Sequence, residues 1–183
     1  MHAKWIPVAM VALAATALCS TASFAAGAWP TKTIRILAAG PTGGPIDVMS
    51  RLVGQKLSEQ LGQSVVIDNR AGAGGTLATR IAVSATPDGH TLLCNSSQYA
   101  AAYSLYKDYT WIAYFAPAGT PKAIVDKLNR SISAIVTAPD SRERLSALGF
   151  DPVNNSADQF TAYIKVEVSK WAKVIKESGA RID

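Results

Sequence analysis

The sequence predicts an α/β protein, a parallel βαβαβ sheet followed by a helical C-terminal third. Three observations predict it. Short apolar, β-branched runs alternate with segments of helical period between Thr33 and Asn95. Two glycine-rich stretches follow the first two runs directly, as turns from strand into helix do. Beyond Thr120 the apolar residues recur only at helical spacing. Strand, helix, strand, helix, strand at this spacing implies right-handed crossovers and parallel pairing. Both glycine loops then lie at the carboxyl ends of their strands, the edge where open α/β sheets hold ligands.

Each element has its own signal. Thr33 to Ala39 reads as the first strand. Val48 to Leu61 is a helix with Met49, Leu52, Val53, Leu57 and Leu61 on one face, Asp47 placed to cap it and Gly62 to end it. Ser64 to Asp68 (SVVID) is the second strand, and Asn69 opens the loop NRAGAGG. A second helix, Thr76 to Ala85, carries Leu77, Ala78, Ile81 and Ala82 on one side; Pro87-Asp88-Gly89 is a turn and His90 to Asn95 the third strand. Thr120-Pro121 starts a helix with Ile124, Leu128, Ile132 and Ile135 on its core face. Asp140 with Glu143 and Ser156 with Gln159 have the spacing of capping boxes. The last helix places Phe160, Ile164, Val168, Trp171 and Ile175 on one face and stops at Gly179. Between the halves, SSQYAAAYSLYKDYTWIAYFAPAGT is rich in tyrosine and has no clear period.

Composition narrows the function. Hydrophobic content of 49% against 17% charged residues describes a globular chain, and 183 residues suffice for one domain with a proper core. Residues 1–25 combine Lys4, an uncharged apolar stretch and a small-residue end at Ser23-Phe24-Ala25, the pattern of a cleavable secretory signal. Cleavage is expected after Ala25 or Ala26; an uncleaved anchor is the alternative, and Pro7 opposes it. Leu18 before Cys19 excludes lipoprotein processing, which needs a small residue there. Loss of Lys4 takes the formal charge of +5 to +4, too mild an excess to indicate nucleic acid. Cys94 is then the one cysteine left, expected as a buried strand thiol.

The motifs exclude familiar chemistry. GPTGGPID, Gly40 to Asp47, lacks the Gly-Lys-Ser/Thr of a phosphate-binding P-loop. AGAGGTLAT has Leu77 where a dinucleotide fingerprint needs its third glycine. With the signal removed His90 is the only histidine, without metal-ligand spacing around it, so no catalytic residue, metal or cofactor is expected. What remains is two loops of bare backbone amides, each leading into a helix N-terminus. Such a pair holds an anion without a charged side chain. Alternatively each loop is only a tight turn between strand and helix.

The order of motifs resembles the Bug-type receptors, the exported solute-binding subunits of tripartite tricarboxylate transporters. WPTKTIRIL, a glycine loop ending in Asp47 with Arg51 one turn on, NRAGAGG, PDGHTLL, APAGTP, RERLSALGFDPV and QFTAYIKVEVSKWAKVIK carry the resemblance over nearly the whole chain after the signal. It implies a periplasmic-binding-protein-like (type II) fold of two lobes closing on a small organic anion, a di- or tricarboxylate or an amino acid, without catalysis. It also implies a periplasmic location and membrane subunits of a transporter as partners. The ligand contacts it implies are Gly43, Gly44 and Asp47 in the first loop, Gly72, Ala73, Gly74 and Gly75 in the second, and Ser96 and Ser97 beyond the third strand.

The departures bear on function. Gly40, Thr42, Pro45 and Ile46 stand where the family usually has an aromatic residue, proline, glycine and a hydroxyl residue. Pro45 removes an amide donor and Ile46 a hydroxyl, so capture by the first loop is weakened. Ala71 replaces a usual proline. The segment resembling YSLYKD lies beside YTWIAYFAPAGTP around Asp108 and Tyr109, whereas the family carries a second lobe between them; on the order of 100 residues are missing by that comparison. The expected organisation is a single lobe over residues 29–183: the βαβαβ unit at 31–97, a deletion seam at about 98–116, and helices at 117–183. This is mainly the first lobe of a two-lobed fold.

Overall fold

The computed structural model describes residues 29–97 and 111–178. The proposed signal, Gly179, and four tyrosines of the seam, Tyr99, Tyr103, Tyr106 and Tyr109, lie outside the described residues, as does the side chain of Ile175. The strands β1 (Ile34–Ala38), β2 (Val65–Asn69), β3 (Thr91–Ser96) and β4 (Ile112–Phe115) form one sheet in the order β2-β1-β3-β4. β1 pairs in parallel with β2 (Ile36 opposite Ile67) and with β3 (Ile36 opposite Leu92), as expected. β4 corrects the sequence reading twice. It is a strand inside the supposed seam, and it runs antiparallel to β3 with Cys94 opposite Tyr114.

Helices cover both faces. α1 (Pro45–Leu61), α3 (Lys122–Thr137) and α4 (Pro139–Ala147) form the larger core with the sheet: Ile34, Ile36, Ala38, Leu92 and Cys94 meet Met49, Val53, Leu57, Ile124, Leu128, Ile135 and Leu145. On the opposite face the shorter α2 (Thr76–Val83) sets Ala78 and Ala82 against Leu37, Ala39 and Leu93. β1 is therefore buried on both sides, which explains why it is apolar at every position except Arg35. α5 (Ala157–Ser178) completes the chain with its stripe only partly covered.

Several predicted ends move for identifiable reasons. α1 begins at Pro45, whose fixed φ suits the first turn, with Gly44 as the capping residue; Asp47 sits inside the helix instead of capping it. α2 stops at Val83 and leaves Leu77 exposed. Pro121 precedes α3, so Thr120 uses its hydroxyl on the Pro117 carbonyl. α4 starts at Pro139 after Ala138, and Asp140 pairs with Lys56 instead of closing a box with Glu143. The Ser156–Gln159 box forms in both directions, at 2.9 and 3.1 Å. In α5 Val168 is 64% exposed, so the predicted core stripe is not core there.

The turn before β3 is also a structural hub. The Trp29 indole donates to the Asp88 carbonyl at 3.0 Å, the Thr31 amide to His90 Nε2 at 3.2 Å, and Lys127 to the Trp29 carbonyl at 2.7 Å. His90 is thus buried and bonded. Cys94 is fully buried and desolvation pushes its thiol up to about 11, so it is inert, as a buried strand thiol should be. Alkylating reagent at pH 8 is expected to label it only after unfolding; rapid labelling of the native chain would contradict this packing.

Gly89 has φ +78, and a Cβ there would lie 2.4 Å from Ile124 Cγ2 and 3.2 Å from Trp29 Nε1. Gly62, at φ +66, has open space around it. Gly62→Ala is expected to cost roughly 1 kcal/mol from backbone strain alone, and Gly89→Ala at least twice that through added overpacking of about 1–3 kcal/mol. Urea midpoints of the two variants check the order.

Candidate functional site

The strand order fixes where the loops go. The chain leaves β1 through α1 to reach β2 on one side, then passes through α2 on the other face to reach β3 on the far side of β1. The switch point between β1 and β3 lies at the carboxyl edge of the sheet, and the loop after β1 and the loop after β2 lead into helices on opposite faces of it.

The first loop is organised by a buried carboxylate. Asp47 is 2% exposed. Its Oδ2 accepts the Gly43 amide at 2.9 Å and Arg51 Nε at 3.0 Å, and its Oδ1 accepts Asn69 Nδ2 at 3.0 Å. Asn69 also donates to the Gly40 carbonyl at 3.2 Å, so one side chain at the end of β2 holds both ends of the first loop. Burial by itself would raise the Asp47 carboxyl; hydrogen bonds from Arg51, Gly43 and Asn69 and the charge of Arg51 outweigh it and hold the group below its ordinary 3.8. Gly43, at φ +79, makes the turn that aims its amide at Asp47. The Gly44 amide bonds the Pro41 carbonyl at 3.1 Å. The two glycine amides expected to face a ligand thus have partners inside the loop. The amides of Ile46 and Asp47, in the first turn of α1, have no acceptor among the described residues.

The second loop is a left-handed turn. Gly75 donates to the Gly72 carbonyl at 2.9 Å across Ala73 (φ 45) and Gly74 (φ 60, ψ 32), a type I′ arrangement that then enters α2 through Gly75 at φ 80. Ala73 is the only described non-glycine residue with positive φ, a strained conformation for a side chain. Gly75 seats the loop on the sheet: a Cβ there would approach Asn95 Oδ1 to 3.2 Å and Ala39 Cβ to 3.4 Å. Gly72, Ala73 and Gly74 are exposed, and the amides of Ala73 and Gly74 have no acceptor among the described residues.

β3 reaches the second loop through Asn95, which also approaches the Thr79 hydroxyl at 3.5 Å. Ser96 is buried with a hydroxyl that has no hydrogen-bond partner among the described residues, and its side chain lies on the α1 face beside that of Cys94. Ser97 instead pairs with Trp111, donating to its carbonyl at 3.1 Å and accepting its amide at 3.2 Å. Sequence reasoning named Asn69 and Arg51 only as motif letters and missed Asn95 and Thr79. Their contacts are made across distances in sequence that no local pattern reports.

Beside the site Asp68 accepts from Arg35 (Nε at 2.8 Å) and Arg70 (2.9 Å), which outweigh its burial and lower its carboxyl. Arg35 and Arg70 share Asp68 while Arg51 pairs with Asp47, so three guanidinium groups meet two carboxylates here. Among the described residues no cluster of histidine, cysteine or carboxylate could hold a metal, and no helix is long and apolar enough to cross a membrane.

The sheet, with a switch point between two glycine loops and helices on both faces, resembles the periplasmic-binding-protein-like fold of several solved structures. R. palustris Rpa4515 with adipate aligns with a TM-score of 0.72 at 17% identity over 82% of this chain and 98% of that one. The periplasmic binding protein BugD aligns with 0.72 at 19%, over 82% and 99%. MatC from Rhodopseudomonas palustris with bound malate gives 0.67 at 18%, over 80% and 100%. The chain belongs to the TctC family, the tripartite tricarboxylate transporter family receptors, whose family model matches residues 49–111 and 102–180. A UPF0065 protein in the tcbD-tcbE intergenic region of Pseudomonas sp. strain P51 is 33% identical over 152 residues, 78% of this chain and 44% of that protein. Protein BugT of Bordetella pertussis is 40% identical over 84 residues, 46% of this chain and 26% of BugT. The chain spans less than half the length of these curated relatives.

Asp47→Asn puts an amide donor where donors already converge on the buried carboxylate. It is expected to cost about 1–3 kcal/mol of stability, read from urea unfolding at pH 7. Because the folded carboxyl is held below its ordinary value, the contribution is complete well above 3.8 and lost as pH falls through the lowered value. The gap between wild type and variant should therefore shrink with acid; a gap constant from pH 7 to pH 3 would refute the role given to Asp47.

Proposed function

We propose that the chain is an exported solute-binding receptor that holds a small organic anion, a di- or tricarboxylate or an amino acid, on backbone amides at the switch point. The observation that carries this reading is the pair of unengaged amide sets, Ile46–Asp47 at the start of α1 and Ala73–Gly74 in the second loop, at the carboxyl edges of adjacent strands. Two helix N-termini and bare amides supply donors and positive potential without fixed charge. Arg51 and Arg70 at the rim favour an anion at longer range. In this reading Gly43, Gly44 and Asp47 shape the first loop, Gly72 and Gly75 shape the second, and Ser96 offers its buried hydroxyl beneath them. The binding of adipate and malate by structurally similar proteins supports a carboxylate as the ligand class. Export by the N-terminal signal, a periplasmic location and transporter membrane subunits as partners complete the proposal; it assigns no catalytic step.

We also propose that the chain is one lobe over residues 29–183 and lacks the second lobe of its relatives. The family match comes in two pieces that overlap at residues 102–111, and the relatives are more than twice as long as the matched region. One lobe leaves the ligand open on one side, so affinity is expected to be low. The alternative is a folded remnant that binds nothing, favoured by the internal engagement of the Gly43 and Gly44 amides.

Thermal unfolding with a panel of dicarboxylates, tricarboxylates and amino acids separates the two. A ligand at 100 times its Kd adds about 2.7 kcal/mol and raises the transition by several degrees. A cooperative transition unmoved by every compound at millimolar concentration would establish the remnant.

A further inference from the structure

The second loop holds a side chain in a conformation that side chains avoid. Ala73 has φ 45 while the residue is exposed, so no packing offsets the strain. Both flanks of the turn are fixed. Arg70 donates its amide to the Ala38 carbonyl at 2.8 Å, and Gly75 sits close against Asn95 and Ala39. Between these anchors the strain has one outlet, rotation of the peptides on either side of Ala73. Two carbonyls are held against it. The Gly75 amide donates to the Gly72 carbonyl at 2.9 Å, and the Thr76 hydroxyl donates to the Ala73 carbonyl at 2.6 Å, joined on that oxygen by the Thr76 amide.

A planar trans peptide carries its C=O and N–H on opposite sides, so whatever holds a carbonyl also aims the next amide. Gly75 thereby turns the Ala73 N–H away from the body of the turn, and Thr76 turns the Gly74 N–H away from the start of α2. These are the two amides of the loop that have no acceptor among the described residues. The bonds made by the Gly75 and Thr76 amides are main chain to main chain and need no particular side chain. The Thr76 hydroxyl is the one contact here that does.

We infer that Thr76 is a positioning residue of the second loop: its hydroxyl keeps Ala73 left-handed and so keeps the Gly74 amide aimed outward. A glycine at position 73 would need no such hold, because left-handed φ costs glycine little. With alanine there, loss of the hydroxyl lets Ala73 relax to negative φ, and the peptides beside it turn over with their N–H groups. The consequence for binding rests on the proposed anion site; the consequence for the loop does not.

Nuclear magnetic resonance of the full chain reads the loop without a ligand, since positive φ brings an amide proton close to its own Hα and gives a strong Overhauser peak between them. For Ala73 that peak is expected in the wild type and in Thr76→Ser, which keeps the hydroxyl, and is expected to be lost in Thr76→Val, which keeps the shape alone. Titration with adipate and malate, followed at the Ala73 and Gly74 amides, is expected to give a Kd about tenfold higher for Thr76→Val and near the wild-type value for Thr76→Ser. Thr76 is exposed, so neither substitution touches the core, and thermal transitions of both variants check that they fold. A wild type without the peak, a Thr76→Val that keeps it, or undiminished binding by a variant whose loop has turned over would overturn the inference. If neither acid binds the wild type, the anion site fails for these ligands, and the Ala73 peak in Thr76→Val still decides what Thr76 does.

Discussion

The carboxyl edge of the sheet depends on one buried charge. Asp47 is almost wholly out of water, and a carboxylate in that position is tolerable only because three donors converge on it. The requirement works outward. Gly43 must turn left-handed to present its amide, Asn69 must end β2 at the right height, and Arg51 must fall one turn along α1. Asn69 then ties the Gly40 carbonyl to the same cluster. A loop that would otherwise be held by little more than a tight turn becomes a fixed rim between two strands.

The same economy explains which amides are left over. Backbone donors engaged in holding the loop cannot also hold a ligand, so glycine content by itself overstates the binding capacity of GPTGGPID. Among the described residues the donors without acceptors are those of Ile46 and Asp47, in the first turn of α1, and across the edge those of Ala73 and Gly74. Both sets belong to the rigid junction of strand, loop and helix, where preorganisation lowers the entropic cost of binding. At the other end of the sheet β4 is half-buried throughout, and Tyr163, Val166 and Val168 of α5 are exposed.

Much of this was legible in the residues. The apolar runs at Ile34–Ala38 and Thr91–Ser96 and the period of α1 and α3 placed β1, β3 and the larger core, because burial on both faces or on one stripe writes itself directly into sequence. The Ser156–Gln159 box was legible because a cap is local. The identical-looking pair Asp140 and Glu143 was not, because Pro139 had already started the helix and Lys56, far away in sequence, captured the aspartate. β4 was missed since four half-buried residues with large side chains on both faces show no alternation.

By itself, then, the sequence determined the elements, the parallel pairing of β1, β2 and β3 and the position of both glycine loops. These follow from periodicity and backbone freedom, which act over a few residues. Only the tertiary structure decided that Asp47 is a buried anchor, that Asn69 and Asn95 bind the loops to the sheet, and that β4 runs antiparallel to β3. Each of those depends on groups brought together from distant parts of the chain, and hydrogen bonding and burial are settled by what arrives beside a residue in space.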